Sequence, residues 1–386
     1  MPLRLLRAFL ILAALALLVV LAGCGSSSKV ICPATGSSSS CGCGSSDASN
    51  ASTALCVAPA YLVASGAGTV SVYPINLSTG VVSAATSVTG PNMSFGMAMV
   101  NNSYLYVSAP QVGGQSMVDA WAFDLGSGAL TTSPGFTLGA LSEPAGMAVD
   151  PAGPYLYIAD AGGVDGLQVG ATGGLSAIAG SPFRSAGGGL FLAIDPQNRY
   201  VFTSVDQPNG YVSAATIDAS TGALTVVGGS PFAIAPGGST DTRPFEIAVD
   251  STGSYVYTTL EGTNQVAGFS IGTGGVLTQL PGSPYAAGNT PFTLATANNL
   301  LYVSNAMDGT ISGYSITAST GVLVPLSGSP FAIHASAMTI DPNARFLFAS
   351  GTGGEIQVFN IEATSGALTP VTGSPGSPAT VFEYVQ

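Results

Sequence analysis

Polar and apolar positions alternate along this chain in short runs separated by turn residues. Between Arg243 and Phe292 the runs are Phe245-Glu-Ile-Ala-Val-Asp250, Ser254-Tyr-Val-Tyr-Thr-Thr259, Gln265-Val-Ala-Gly-Phe-Ser-Ile271 and Val276-Leu-Thr, followed by Gly282-Ser-Pro-Tyr285. Each run is rich in β-branched and aromatic residues and is bounded by Gly, Ser, Pro or Asp. This predicts four consecutive antiparallel strands. The repeat lacks the three-and-four apolar spacing that a helical solenoid would need.

The unit recurs. Its aromatic second strand begins at Tyr61, Tyr104, Tyr155, Tyr200, Tyr255, Leu300 and Phe346, and the turn into the fourth strand lies beside Val82, Leu130, Leu175, Leu224, Leu277, Leu323 and Leu368, at intervals of 45 to 53 residues. Seven copies at that period predict an all-β, seven-bladed β-propeller of four-stranded antiparallel blades. The first copy has a second strand but no first strand before it, while Thr380-Val-Phe-Glu-Tyr-Val385 reads as a first strand with nothing after it. The N- and C-terminal strands are therefore expected to share one blade and close the ring, which removes the open sheet edge.

The chain before the repeats has a different character. Arg4 and Arg7 precede an apolar run from Ala8 to Val20, which ends in Leu21-Ala-Gly-Cys24. A basic start, a short apolar core and small residues before a cut describe a secretory signal. The Leu-Ala-Gly-Cys ending resembles the bacterial lipobox. That resemblance implies a signal peptide over residues 1–23, lipidation of Cys24 and an exported protein anchored by lipid at the outer membrane or cell surface. Residues 24–56, dominated by Ser, Gly, Ala and Cys, read as a flexible tether, and 57–386 as the propeller. Cys32, Cys41, Cys43 and Cys56 are disulfide candidates with three possible pairings. Their spacing does not match a zinc site, so no metal is expected.

Composition narrows the function. Of 386 residues 7% are charged, 46% are hydrophobic and 52 are Gly, which fits a compact, turn-rich β domain. The net charge is −12, and the propeller region holds only four basic residues, Arg184, Arg199, Arg243 and Arg345. This excludes a nucleic-acid-binding face and weighs against strong binding of a phosphorylated sugar. No phosphate-binding glycine loop, nucleophile elbow or His-Glu-x-x-His helix is present, and no cofactor is implied.

Naming the strands of a blade A to D from the axis outward sorts the remaining polar residues between two ends. The A-to-B turns carry Asp150, Asp195 and Asp341, each directly before Pro, and Asp250, three residues before Gly253, which is turn chemistry. Arg199 and Arg345, at that end, are expected to be solvated. The opposite end collects Asp160, Asp165, Arg184, Asp206, Asp241, Arg243, Glu261, Asp308, His334 and Glu355 around the expected central mouth. Asp160, Arg184, Asp206, Asp308 and His334 are candidate ligand-binding residues there. Arg243 and Glu261 belong to one blade and face one mouth. A carboxylate beside a guanidinium can serve as base and oxyanion stabiliser in ester hydrolysis.

The repeated elements Asp-Pro-x-x-(Arg)-Tyr-Leu-Tyr-Val, Val-x-x-Phe-x-Ile, Thr-Gly-Ala-Leu-Thr (221–225) and Gly-Ser-Pro-Phe (180–183, 229–232, 328–331) resemble those of the seven-bladed propeller lactonases, the family of the propeller-type 6-phosphogluconolactonases and related muconate-lactonising enzymes. The resemblance implies a carboxylic-ester hydrolase with Glu261 at the family's Glu position and Arg243 near its Arg position. Leu260 replaces the family's Asn, Glu246 stands near the place of its His, and Asp250-Ser251 replaces a His-Pro. Two functions follow. The first is a membrane-tethered lactonase acting on a lactone outside the cytoplasm. The second is a non-catalytic propeller that binds a glycan or protein at its mouth. In either case the chain is expected to be monomeric.

Overall fold

The computed structural model describes residues 17–22 (backbone only), 60–66, 68–92, 94–109, 116–138, 144–151, 153–160, 162–184, 189–234, 241–351 and 355–373. They form seven antiparallel sheets, each built from strands consecutive in the chain. The innermost strands are Leu17–Ala22, Met97–Val100, Met147–Val149, Phe191–Ile194, Pro244–Val249, Pro291–Ala297 and Met338–Ile340, which begin blades 1 to 7. Each of these contacts the innermost strands of two other blades, and the last contacts the first, so the ring is closed. Thr273–Gly275 forms a single helical turn.

Closure differs from expectation in one respect. The inner position of blade 1 is filled by Leu17–Ala22, paired over six residues with Ala60–Gly66. Residues 380–385, expected in that position, lie outside the described residues, as do all five cysteines. A continuous apolar run meets the needs of a strand covered on both faces as readily as those of a leader.

The B strands supply the most deeply buried side chains. Tyr106, Tyr157, Tyr257 and Tyr302 occupy equivalent positions and are fully buried. Each donates its hydroxyl hydrogen bond to a glycine carbonyl in the C-to-D turn of the next blade: Gly173, Gly222, Gly321 and Gly366, at 2.6–2.7 Å. Those glycines have φ between 68° and 79°, the left-handed region that an L side chain enters only with strain, and a Cβ on Gly321 would lie 2.4 Å from the Tyr255 ring. Thr-Gly in this turn is thus both a local bend and a docking surface for the preceding blade. Blades 4 and 7 carry Phe202 and Phe348 at the tyrosine position and lack the hydroxyl.

The Gly-Ser-Pro-aromatic element has an equally local reason. In blades 3 to 6 its serine hydroxyl accepts the backbone N–H of a C-strand residue: Ser181 from Gly166, Ser230 from Ala214, Ser283 from Gly268 and Ser329 from Gly313. The aromatic that follows returns to pair with that strand.

The A-to-B turn aspartates are structural, as the sequence indicates. Asp250 Oδ1 accepts the N–H groups of Ser254 and Tyr255 at 2.9 and 2.7 Å, and Asp195 and Asp341 do the same four and five residues on. The expectation that Arg199 and Arg345 are simply solvated is corrected. Their guanidinium groups pair with Asp195 and Asp341 at 2.7 and 3.3 Å and lie over the rings of Tyr200 and Phe346. The buried carboxylates attract the nearest cation, although both arginines stay nearly half exposed.

Candidate functional site

Backbone bonds identify the end that carries the site. Glu261 N–H donates to the Arg243 carbonyl at 3.0 Å and Gly262 N–H to the Thr242 carbonyl at 3.2 Å, which joins the loop entering blade 5 to its own B-to-C loop. Thr242 and Arg243 in turn donate to the carbonyls of Pro208 and Gln207, next to Asp206 in the B-to-C loop of blade 4. The packing is tight: a Cβ on Gly262 would lie 1.9 Å from the Asp241 carbonyl oxygen. Arg243 itself has φ 46°, a conformation uncommon outside glycine and asparagine. These bonds hold it there, at a local cost of about 1 kcal/mol.

Arg243 and Glu261 are therefore neighbours, as expected, but through their backbones. The guanidinium Nε of Arg243 lies 2.7 Å from Asp241 Oδ1. Asp241, two residues away, neutralises the cation with less loss of side-chain freedom than a partner across two loops would require. Arg243 remains a quarter exposed at the mouth.

The other candidates at this end form separate groups. Asp160 is buried and accepts the N–H of Gly162, while Arg184 reaches the same glycine, where a Cβ would lie 2.6 Å from Nη1. Asp308 accepts the Asn289 N–H at 2.6 Å, and the His334 ring lies against Gly309 in the same loop. Nδ1 of His334 is buried and has no hydrogen-bond partner among the described residues. Asp206 is half-buried beside the blade 5 loop. Of these residues, Asp206 is the one whose loop is bonded directly to the Thr242-Arg243 backbone. Among the described residues no three potential ligands gather to hold a metal ion, and no helix is long and apolar enough to cross a membrane.

One carboxylate lies deeper. Glu246 sits in the inner strand Pro244–Val249 at a β-bulge between Pro244 and Ile247, and the next inner strand carries a matching bulge between Pro291 and Leu294. The N–H of Leu294 donates to Glu246 Oε2 at 2.8 Å across the interface between blades 5 and 6, while that of Thr293 is turned to Ser304 Oγ on the paired strand. The Glu246 backbone is pinned by Thr259 Oγ1, which accepts its N–H, and by Thr258 Oγ1, which donates to its carbonyl. Phe191, Phe245 and Phe292 from three successive inner strands stack alongside, with centroids 4.9 and 4.3 Å apart. Burial of the carboxyl pushes its pKa up to about 8, with the Leu294 N–H partly opposing the shift. Because Pro244–Val249 is innermost in its blade, the exposure that Glu246 retains is to the axis.

The sequence reading noted Glu246 only as standing near a family position. The available signal was one acid inside the otherwise apolar run Phe245-Glu-Ile-Ala-Val249.

The family model described as Lactonase, 7-bladed beta-propeller matches residues 230–335, the stretch that contains Arg243, Glu246 and Glu261. Among solved structures, a putative 6-phosphogluconolactonase from Bacteroides uniformis superposes with a TM-score of 0.65 at 19% identity, covering 78% of this chain and 91% of that one. The periplasmic gluconolactonase PpgL of Pseudomonas aeruginosa gives 0.63 at 19% identity, covering 80% and 93%. Hydrazine synthase of Kuenenia stuttgartiensis gives 0.56 at 16%, covering 78% and 92%, so shape alone does not choose a chemistry. No curated protein matches the sequence significantly. The seven sheets and the blade-to-blade contacts make this chain a seven-bladed β-propeller, and its fifth and sixth blades match the lactonase family model.

Proposed function

We propose that the chain is a lactone hydrolase that works outside the cytoplasm, tethered to the cell envelope through lipid on Cys24, a processing that removes Leu17–Ala22 and leaves the inner position of blade 1 to another segment of the chain. The observation that carries the catalytic reading is the backbone junction of Arg243 and Glu261 at the mouth, inside the segment that matches the lactonase family. In this reading Glu261 takes a proton from water, the hydroxide attacks the lactone carbonyl, and Arg243 stabilises the oxyanion that forms. The export signal and the similarity to a protein named a periplasmic gluconolactonase support an extracytoplasmic site of action.

A second reading is a non-catalytic propeller that binds a glycan or protein at the same mouth. The pairing of Arg243 with Asp241, which partly satisfies the cation, favours it.

The deciding experiment is hydrolysis of phosphorylated and unphosphorylated sugar lactones by the purified full chain, with Glu261→Gln in parallel. Turnover above the buffer rate that is lost in the variant supports the hydrolase. A folded protein inert towards every lactone leaves the binding reading.

A further inference from the structure

Opening a lactone requires two proton transfers, and the mouth residues account for only one. The base removes a proton from water, but the ring oxygen that departs as the C–O bond breaks is a poor leaving group and needs a proton delivered to it. The second group must be an acid that still holds its proton at neutral pH. It must also sit on rigid backbone, apart from the base.

Glu246 has that placement. Its strand is fixed by Thr258 and Thr259, and Oε2 is anchored on the Leu294 N–H, while Oε1 has no hydrogen-bond partner among the described residues. Glu246 and Glu261 lie on paired strands of one blade. Glu246 is opposite Thr258 and Thr259, and Glu261 is just beyond Leu260, where that strand ends. One carboxyl is therefore deep in the channel and the other at its mouth.

We propose that Glu246 is the proton donor to the departing ring oxygen, acting in concert with Glu261 as the water-activating base. The assignment rests on the lactonase reading above. Water gives one proton to Glu261 and its oxygen to the carbonyl carbon, forming a tetrahedral oxyanion beside Arg243. As that intermediate collapses the ring C–O bond breaks, and the Glu246 proton passes to the departing oxygen to give a hydroxyl. Solvent then reprotonates Glu246 and takes the proton from Glu261, so the net reaction is lactone plus water to hydroxy acid.

The surroundings fit two carboxyls in opposite protonation states. Burial keeps Glu246 protonated to about pH 8. The flanking inner strands, Phe191–Ile194 and Pro291–Ala297, contribute no titratable side chain. On its own blade the charged groups of this end are Asp241, Arg243 and Glu261, and Asp206 follows the B strand of blade 4.

The test compares the full chain with Glu246→Gln and Glu261→Gln on galactono-γ-lactone, whose leaving group needs a proton, and on para-nitrophenyl acetate, whose leaving group does not. Gln at 246 retains an oxygen for the Leu294 N–H, and thermal melting verifies the fold. Glu246→Gln is expected to lower lactone kcat by about 100-fold or more and to abolish the fall in rate above about pH 8, while changing nitrophenyl acetate turnover by less than about threefold. Glu261→Gln is expected to lose both activities. Equal losses of both activities in Glu246→Gln, or an unchanged alkaline limb, overturn the acid assignment and leave the hydrolase standing. A wild-type chain inert on both substrates overturns both.

Discussion

Glu246 and Arg243 each hold an unfavourable state in place, and each makes that state measurable. The folded protein retains the Glu246 proton up to about pH 8, whereas the unfolded chain releases it near 4.5. The native state therefore binds more protons in that window, and stability falls as pH rises from 4.5 to 8, with the loss complete above 8. The shift corresponds to at most about 5 kcal/mol, and the partial exposure of Glu246 reduces the expected effect to about 2 kcal/mol. Glu246→Gln should remove this dependence, so that denaturant melts of the variant match the wild type at about pH 5 and exceed it at about pH 9. Arg243 presents the complementary case, since its φ of 46° is strained for arginine and relaxed for glycine. Arg243→Gly is expected to lower stability by less than about 1 kcal/mol while abolishing lactone turnover, because relief of strain offsets the lost pair with Asp241. A larger loss on chemical denaturation would show that the arginine is kept for the fold.

At the scale of strands and turns, the blades are joined by hydroxyls reaching from one B strand to the next blade's turn. Tyr257→Phe deletes the bond to the Gly321 carbonyl without opening a cavity and should cost about 1 kcal/mol, read as a lowered denaturation midpoint. Phe202, Phe348 and, in blade 1, Val63 stand at the joints that manage without it. What the sequence disclosed at this scale depended on distance along the chain. Strands and turns were legible because alternation and Asp-Pro or Thr-Gly signals act within a few residues, and the turn role of Asp195, Asp250 and Asp341 followed from the same short range. The arginine pairings were less visible. Arg199 and Arg345 were read as solvated although their partners lie four residues back, because burial of the aspartates is a tertiary fact. The role of Glu246 was out of reach, since it depends on two inner strands brought together from 48 residues apart and on a backbone donor that the second of them supplies.

For the molecule as a whole, charge decides which substrates approach. A net charge of −12 with four arginines in the propeller region, three of them paired to aspartates, repels anions at distances beyond contact. Neutral sugar lactones should therefore be turned over with higher kcat/KM than their phosphorylated counterparts. The deficit of the phosphorylated ones should narrow as salt rises from about 0.05 to about 0.5 M and the Debye length contracts below 10 Å. Initial rates at the two ionic strengths test this, and a preference for the phosphorylated substrate at low salt would contradict it.

The tyrosine joints also bear on how such a ring arises and changes. Four of the blades recognise the next one through a glycine carbonyl and the absence of a side chain, features that carry no individual identity. A duplicated copy of the repeat already possesses both halves of the joint, one to offer forward and one to receive. Lineages can thus lengthen, shorten or reorder the ring by copying whole units without matched substitutions at the seams. Selection is left free to diversify the loops at the mouth, where blade 5 differs from the rest.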